Sequence, residues 1–174
     1  MAKQNLTILK LAAFAVFFFA IGLIILSKTS VNVQKVLTQG STPQASSSAT
    51  FAKVTKVIDG DTIVIDTGQH VRYIGMNTPE VETLECFATE ASEINRNFVL
   101  GKVVKLEKDI SETDKYGRLL RFVYVGDIFV DDYLVKNGYA KIMTVPPDVK
   151  YKEEFLESEK YARENNLGLW SKCF

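Results

Sequence analysis

Between residues 57 and 80 the chain reads V-I-D-G-D-T-I-V-I-D-T-G-Q-H-V-R-Y-I-G-M-N-T-P-E, a stretch that commits it to a sheet. Two β-type runs, residues 62–66 and 70–75, are joined by Thr67-Gly68-Gln69, a short hairpin loop containing glycine. Each run also ends in oxygen-bearing side chains. Asp59-Gly60-Asp61 precedes the first, and Asn77-Thr78-Pro79-Glu80 follows the second. Arg72 lies between them on a strand. Carboxylates suit a hard cation and an arginine suits an anion, so these residue types are compatible with phosphate chemistry. Each piece also has a plainer reading. D-G-D is ordinary turn chemistry, N-T-P-E can simply end a strand, and Arg72 alone can be a surface ion-pair partner.

The rest of the domain supplies the other walls. Residues 51–58 alternate loosely (Phe51, Val54, Val57) and read as a first strand entering the D-G-D turn. From Leu84 the period changes: Leu84, Phe87, Ala88, Ala91, Ile94 and Phe98 fall on one helical face, with a stop near Leu100-Gly101. Residues 102–107 and 119–125 read as strands flanking a polar loop that ends in Asp114-Lys115-Tyr116-Gly117-Arg118. Gly126-Asp127 is a turn. Residues 130–136 form a short amphipathic helix ended at Asn137-Gly138 by a left-handed cap. After an extended stretch, 139–144, Pro146-Pro147-Asp148 opens a last helix over roughly 149–165, with Tyr151, Phe155 and Ala162 on one stripe. Short strands with one helix inserted after the third and two at the end predict an α+β domain: a five-stranded Greek-key β-barrel of OB type carrying three helices.

The N-terminus is of another kind. Residues 11–26 carry no polar side chain and follow Lys3 and Lys10, so residues 1–28 read as a single transmembrane signal anchor or a signal peptide. No A-x-A pattern follows Leu26, which favours the uncleaved anchor. Residues 29–50, rich in Ser, Thr, Gln, Gly and Pro towards their end, read as a flexible linker, and 51–174 as the domain. The basic end stays in the cytoplasm, so the domain is expected outside it: membrane-anchored, or secreted if the leader is cut. Charge divides the same way. Residues 1–49 carry four lysines and no acid, while the remainder carries 17 basic and 21 acidic side chains. Such a domain has no global attraction for polyanions, so any nucleic-acid binding must come from a local basic patch.

Taken together, V-I-D-G-D-T, R-Y-I-G-M-N-T-P-E, T-D-K-Y-G-R and N-N-L-G-L-W resemble the staphylococcal nuclease (thermonuclease) family, in order and approximate spacing, over about residues 51–172. The resemblance implies an OB-type barrel with three helices and a calcium-dependent nuclease that acts on DNA and RNA and leaves 3′-phosphates; a monomer is expected. Carried over by position, Asp61 is a direct Ca²⁺ ligand, joined by the Asn77 side chain and the Thr78 backbone carbonyl, with Asp59 behind them. Arg72 and Arg118 grip the scissile phosphate, Glu80 orients or deprotonates the attacking water, and Tyr116 and Lys115 contact the substrate. Three departures stand out. Asn77 replaces an aspartate of the family's type member and brings one charge fewer, which lowers the expected Ca²⁺ affinity towards ~10⁻⁴–10⁻³ M. The loop after Glu80 is shorter and lacks lysines, which flattens the expected salt dependence of binding. Thr144 and Pro146 stand where the type member has two base-packing tyrosines, leaving Tyr116 as the stacking residue.

Two further readings concern the remaining chemistry. Cys86 and Cys173 are the only cysteines, and outside the cell such a pair reads as a disulfide rather than as two unrelated thiols. His70, the only histidine, reads as a strand-edge residue with no catalytic role. Against the enzyme stands a catalytically weak OB-type module, silenced at Asn77, that holds single-stranded nucleic acid or a protein partner. A purely structural surface protein would leave the Asp61, Arg72, Glu80 and Arg118 set unexplained.

Overall fold

A computed structural model describes residues 49–174. The expected anchor or signal segment and nearly all of the linker lie outside the described residues. Among the described residues no helix is long and apolar enough to cross a membrane.

The strands are β1 (Thr50–Val57), β2 (Thr62–Ile65), β3 (His70–Tyr73), β4 (Met76–Asn77), β5 (Val103–Glu107), β6 (Leu119–Val125), β7 (Ile128–Phe129) and β8 (Lys141–Ile142). β1 is the hinge of the barrel. Its first half pairs antiparallel with β5 (Ala52↔Val104) and its second half with β2 (Val57↔Ile63). A register shift between Val54 and Lys56 falls where it changes partner, the place where a bulge bends a strand. β2 continues into β3 (Ile63↔Val71) and β5 into β6 (Leu106↔Val123). A parallel pairing of β3 with β6 (Arg72↔Leu120) closes the five strands into a barrel. β7 extends β6 through the Gly126-Asp127 turn, and β4 with β8 forms a separate ribbon (Met76↔Ile142). Along each strand alternate residues point inward. Val54, Ile63, Val71, Val104, Leu106 and Val123 are fully or almost fully buried, each contributing about 1.5–3 kcal/mol by leaving water.

Helices α1 (Ala88–Val99), α2 (Val130–Lys136) and α3 (Lys152–Glu164) cover the barrel, and a one-turn helix α4 (Leu169–Lys172) ends it. The buried face of α1 is Ala88, Ala91, Asn95 and Val99, the spacing of one helical stripe. It starts four residues later than the periodicity suggests. Leu84 (φ 54°) and Phe87 (φ 71°) are left-handed, which breaks the helical ladder before Ala88. Leu84, expected on the buried face, is 88% exposed, and the Phe87 ring stacks on Tyr139 instead. α3 also starts late. Asp148 accepts hydrogen bonds from the Ile110 and Ser111 amides (2.9 and 2.8 Å), and the Lys150 amide donates to Asp109 (3.0 Å). The segment before Lys152 is thus tied to the polar loop rather than coiled. Phe155 and Ala162 are buried as the stripe predicts, and Phe155 joins Phe122, Phe129 and Tyr151 in one aromatic cluster.

Candidate active site

Three loops meet at one side of the barrel. The D-G-D turn approaches the N-T-P-E turn so closely that a Cβ on Gly60 would lie 2.6 Å from the Thr78 methyl carbon. Only glycine fits there. Asp59 shapes the turn by accepting the Asp61 amide on its own carboxylate (3.0 Å). A second clasp comes from inside: Tyr73 donates its hydroxyl to Asn95 Oδ1 (2.8 Å), and Asn95 Nδ2 donates to the Asp59 carbonyl (3.0 Å). Asn95 is completely buried on α1, so the helix fixes the acidic turn through one polar side chain.

At the centre is a buried ion pair. Arg72 Nη2 lies 3.1 Å from Asp61 Oδ2 and donates to Asn77 Oδ1 at 2.7 Å. Arg72 Nη1 donates to the Tyr73 and Met76 carbonyls (2.7 and 3.0 Å), which locks the guanidinium plane. Asp61 Oδ2 also accepts the Thr78 amide (2.9 Å), and its other oxygen accepts the Thr62 hydroxyl (3.1 Å). The Thr78 carbonyl accepts Asn77 Nδ2 (2.9 Å). Burial pushes the Asp61 carboxyl up to about 6 and outweighs the opposing pull of Arg72, with Asp59 adding to the rise.

The other arginine lies on the Asp114–Arg118 turn and lines the same cleft as Arg72. Arg118 Nε donates to Asp114 Oδ2 at 2.7 Å. Asp114 Oδ1 accepts the Tyr116 and Arg118 amides (2.9 and 3.0 Å), so one carboxylate closes the turn and orients the guanidinium. Partial burial alone would raise the Asp114 carboxyl, but these bonds hold it below the ordinary range. Arg72, Arg118, Lys115 and Tyr116 line a single cleft of about 530 Å³, together with Met143, Val145 and Pro146. Tyr116 is 70% exposed at the mouth of this cleft, with Lys115 Nζ 4.9 Å and the Arg118 guanidinium 5.5 Å from its ring centre. Pro146 reaches the cleft, whereas the Thr144 hydroxyl is buried and without a hydrogen-bond partner.

Glu80 is not among the residues lining that cleft, yet the charges of Asp61, Arg72 and Arg118 act on its carboxyl. Partial burial raises it above the ordinary range, Asp61 and Glu85 add to the rise, and the two arginines oppose it. Cys86 and Cys173 are joined by a disulfide that closes a separation of 87 residues, beside the site but off the cleft.

The acidic side of this site is the place to test against a metal. Among the described residues no group of three or more His, Cys, Asp or Glu side chains is arranged as a metal centre. The available donors are instead Asp61, the Asn77 amide oxygen and the Thr78 carbonyl. Asp61 Oδ2 and Asn77 Oδ1 already converge on one donor atom, Arg72 Nη2. An all-oxygen set with a single carboxylate charge fits a hard cation of modest affinity. Asn95 and Asp114, which position the turn and Arg118, were not singled out from the sequence. A polar residue on the otherwise apolar stripe of α1 was the available signal for Asn95.

The chain is thus a closed five-stranded barrel of OB topology with two guanidiniums on one cleft and an oxygen-rich turn against one of them. A family model described as staphylococcal nuclease homologue matches residues 70–172. The chain belongs to the staphylococcal nuclease family. It is similar to the thermonuclease of Staphylococcus hyicus, 35% identical over 126 residues that make up 68% of this chain and 75% of that protein. The thermonuclease of Staphylococcus intermedius matches with the same identity and coverage. The endonuclease YncB of Bacillus subtilis is 36% identical over 145 residues, 77% of this chain and 69% of that protein.

Proposed function

We propose that the chain is a calcium-dependent nuclease that hydrolyses phosphodiester bonds of DNA and RNA outside the cytoplasm and leaves 3′-phosphate ends. The observation that carries this reading is the seat of Arg72, between Asp61 and Asn77, on the cleft that Arg118 also lines. Family membership and relatives named thermonuclease and endonuclease support it. The location rests on the apolar run at residues 11–26 behind Lys3 and Lys10, which we take as a membrane anchor, or as a leader if cleaved, on a monomeric enzyme.

Asp61, Asn77 and the Thr78 carbonyl would hold the ion, with Asp59 supporting Asp61 from behind. Calcium, when bound, supplies positive charge that polarises a phosphoryl oxygen. Arg72, released from Asp61 and Asn77, and Arg118, held by Asp114 through Nε with its terminal nitrogens free among the described residues, donate to the phosphoryl oxygens. Both donate more strongly as negative charge builds there, so they lower the barrier rather than merely tighten binding. Glu80 orients the attacking water and takes its proton. Water adds to phosphorus, the bond to the 5′ oxygen breaks, that oxygen takes a proton from water to leave as a hydroxyl, and the phosphate stays on the 3′ end. Tyr116 offers a face on which a base can stack, and Lys115 a charge for the backbone.

End-group analysis tests this. Incubation of the full chain with single-stranded DNA and with RNA should yield fragments ending in 3′-phosphate when Ca²⁺ is added, and none with a chelator. Products with 3′-hydroxyl ends, or equal cleavage under chelation, would refute it. The competing reading, a module that binds single strands without cutting them, draws on Asn77 and the acidic net charge. It predicts Ca²⁺-independent binding with no fragments and no effect of Arg118→Ala on any cleavage signal.

A further inference from the structure

Glu80 sits at the head of an irregular segment, residues 79–87, that belongs to no strand or helix. Its local tether is Glu85. The Glu80 amide donates to Glu85 Oε2 (3.0 Å) and the Glu85 amide donates to the Glu80 carbonyl (3.1 Å), so the two residues close a small ring. The next residue is Cys86, bonded to Cys173. The partner end of that bridge is itself anchored. Leu169 is buried and its amide donates to the Gly138 carbonyl (2.8 Å). Gly138 and Gly168 meet backbone to backbone, where a Cβ on Gly138 would lie 2.2 Å from the Leu167 carbonyl oxygen. Trp170 stacks on Phe174 and carries the Arg163 guanidinium 4.2 Å above its ring.

We propose that Glu85 and the Cys86–Cys173 bridge form a clamp that positions Glu80, with Glu85 fixing the peptide of Glu80 and the bridge fixing Glu85 to the anchored C-terminus. This rests on the role given to Glu80 under the proposed function. Glu85 is a positioning residue, since it touches Glu80 through the backbone and is not among the residues lining the cleft. The clamp also makes the site sensitive to redox state. Opening the bridge takes two electrons and two protons from a dithiol, which closes to its own disulfide, and leaves Cys86 and Cys173 as thiols.

The test compares steady-state cleavage of single-stranded DNA by the full chain and its variants. Misplacing a reacting group by about an ångström costs up to ~100-fold, so Glu85→Ala should lower kcat about 10- to 100-fold with KM within about twofold. Glu85→Gln, which keeps an acceptor oxygen for the Glu80 amide, should recover most of that loss. Opening the bridge, by dithiol or by Cys86→Ser with Cys173→Ser, should lower kcat in the same direction. In a Glu80→Ala background, neither Glu85→Ala nor opening the bridge should lower the residual rate further. Equal kcat in Glu85→Ala and the unaltered chain would overturn the clamp, as would an undiminished loss in the Glu80→Ala background. If the chain without its bridge fails to fold, Glu85→Ala and Glu85→Gln decide alone. Absence of cleavage by the unaltered chain would sink the functional reading itself, an outcome distinct from cleavage that is indifferent to Glu85.

Discussion

At the scale of the residue, the two arginines assigned to one phosphate live in different surroundings. Arg72 is almost fully buried against Asp61, whereas Arg118 is a partly buried partner of Asp114 with its side chain 30% exposed. Arg118→Ala should therefore cut the cleavage rate about 10²–10³-fold while costing about 1 kcal/mol of stability, because the pair is only partly buried and solvent screens it. Arg72→Ala strands a buried carboxylate and should also cost about 3–5 kcal/mol in denaturant titration. Equal stability of the two variants would contradict this. Asn77→Asp adds a charge to the oxygen set and should lower the Ca²⁺ concentration giving half-maximal cleavage; an unchanged or higher value would remove Asn77 from that set.

A third residue, Asp131, lies deep in the fold. Its Oδ2 accepts the Val123 amide at 2.9 Å, and its Oδ1 has no partner. Burial raises its carboxyl well above the ordinary range, against the pull of the Val123 amide and of Arg72. The folded chain thus keeps a proton that the unfolded chain gives up near an ordinary carboxyl pKa of about 3.9. This contribution to stability is complete below that pH and is lost as pH rises towards the folded value. Asp131→Asn carries no proton to lose, so its melting temperature relative to the parent should climb as pH rises above about 4. A constant difference would contradict the assignment.

At the scale of the element, the acidic turn is held by three contacts: Asp59 on the Asp61 amide, Gly60 against Thr78, and Asn95 of α1 on the Asp59 carbonyl. Gly60→Ala must push the D-G-D and N-T-P-E turns apart and should reduce Ca²⁺-dependent cleavage more than it reduces stability. Parallel losses in rate and melting temperature would mean that the turn serves the fold alone. The strands of the barrel were legible because alternation and β-branching mark them locally, as in Thr62–Ile65 and Leu119–Val125. The start of α1 was not. Leu84 and Phe87 keep the helical period in sequence, but their left-handed backbone depends on the turn closed by Glu85 and the bridge at Cys86. The α4 turn was missed for a like reason, since its place depends on Gly168 meeting Gly138.

At the scale of the whole molecule, one covalent link joins the segment after Glu80 to the chain's end. A loop of 87 residues corresponds, on the chain-entropy account, to about 4–5 kcal/mol. Reduction should lower the denaturant midpoint accordingly, whatever it does to the rate. The motifs at both ends of the first hairpin and in the Asp114–Arg118 turn marked Asp61, Arg72, Asn77 and Arg118, which the fold gathers on one side of the barrel. What positions them was less legible: Asn95 acts through contacts formed only when distant segments meet, whereas Asp114 and Glu85 act within their own turns, whose geometry the residue types alone do not specify. The most direct test of the account is the initial rate of single-stranded DNA cleavage against Ca²⁺ concentration, for the full chain and for Arg118→Ala. The account predicts a saturable rise with Ca²⁺ for the parent and a rate about 10²–10³-fold lower for the variant, with substrate binding changed far less. A rate that survives chelation, or one that Arg118→Ala leaves intact, would contradict it.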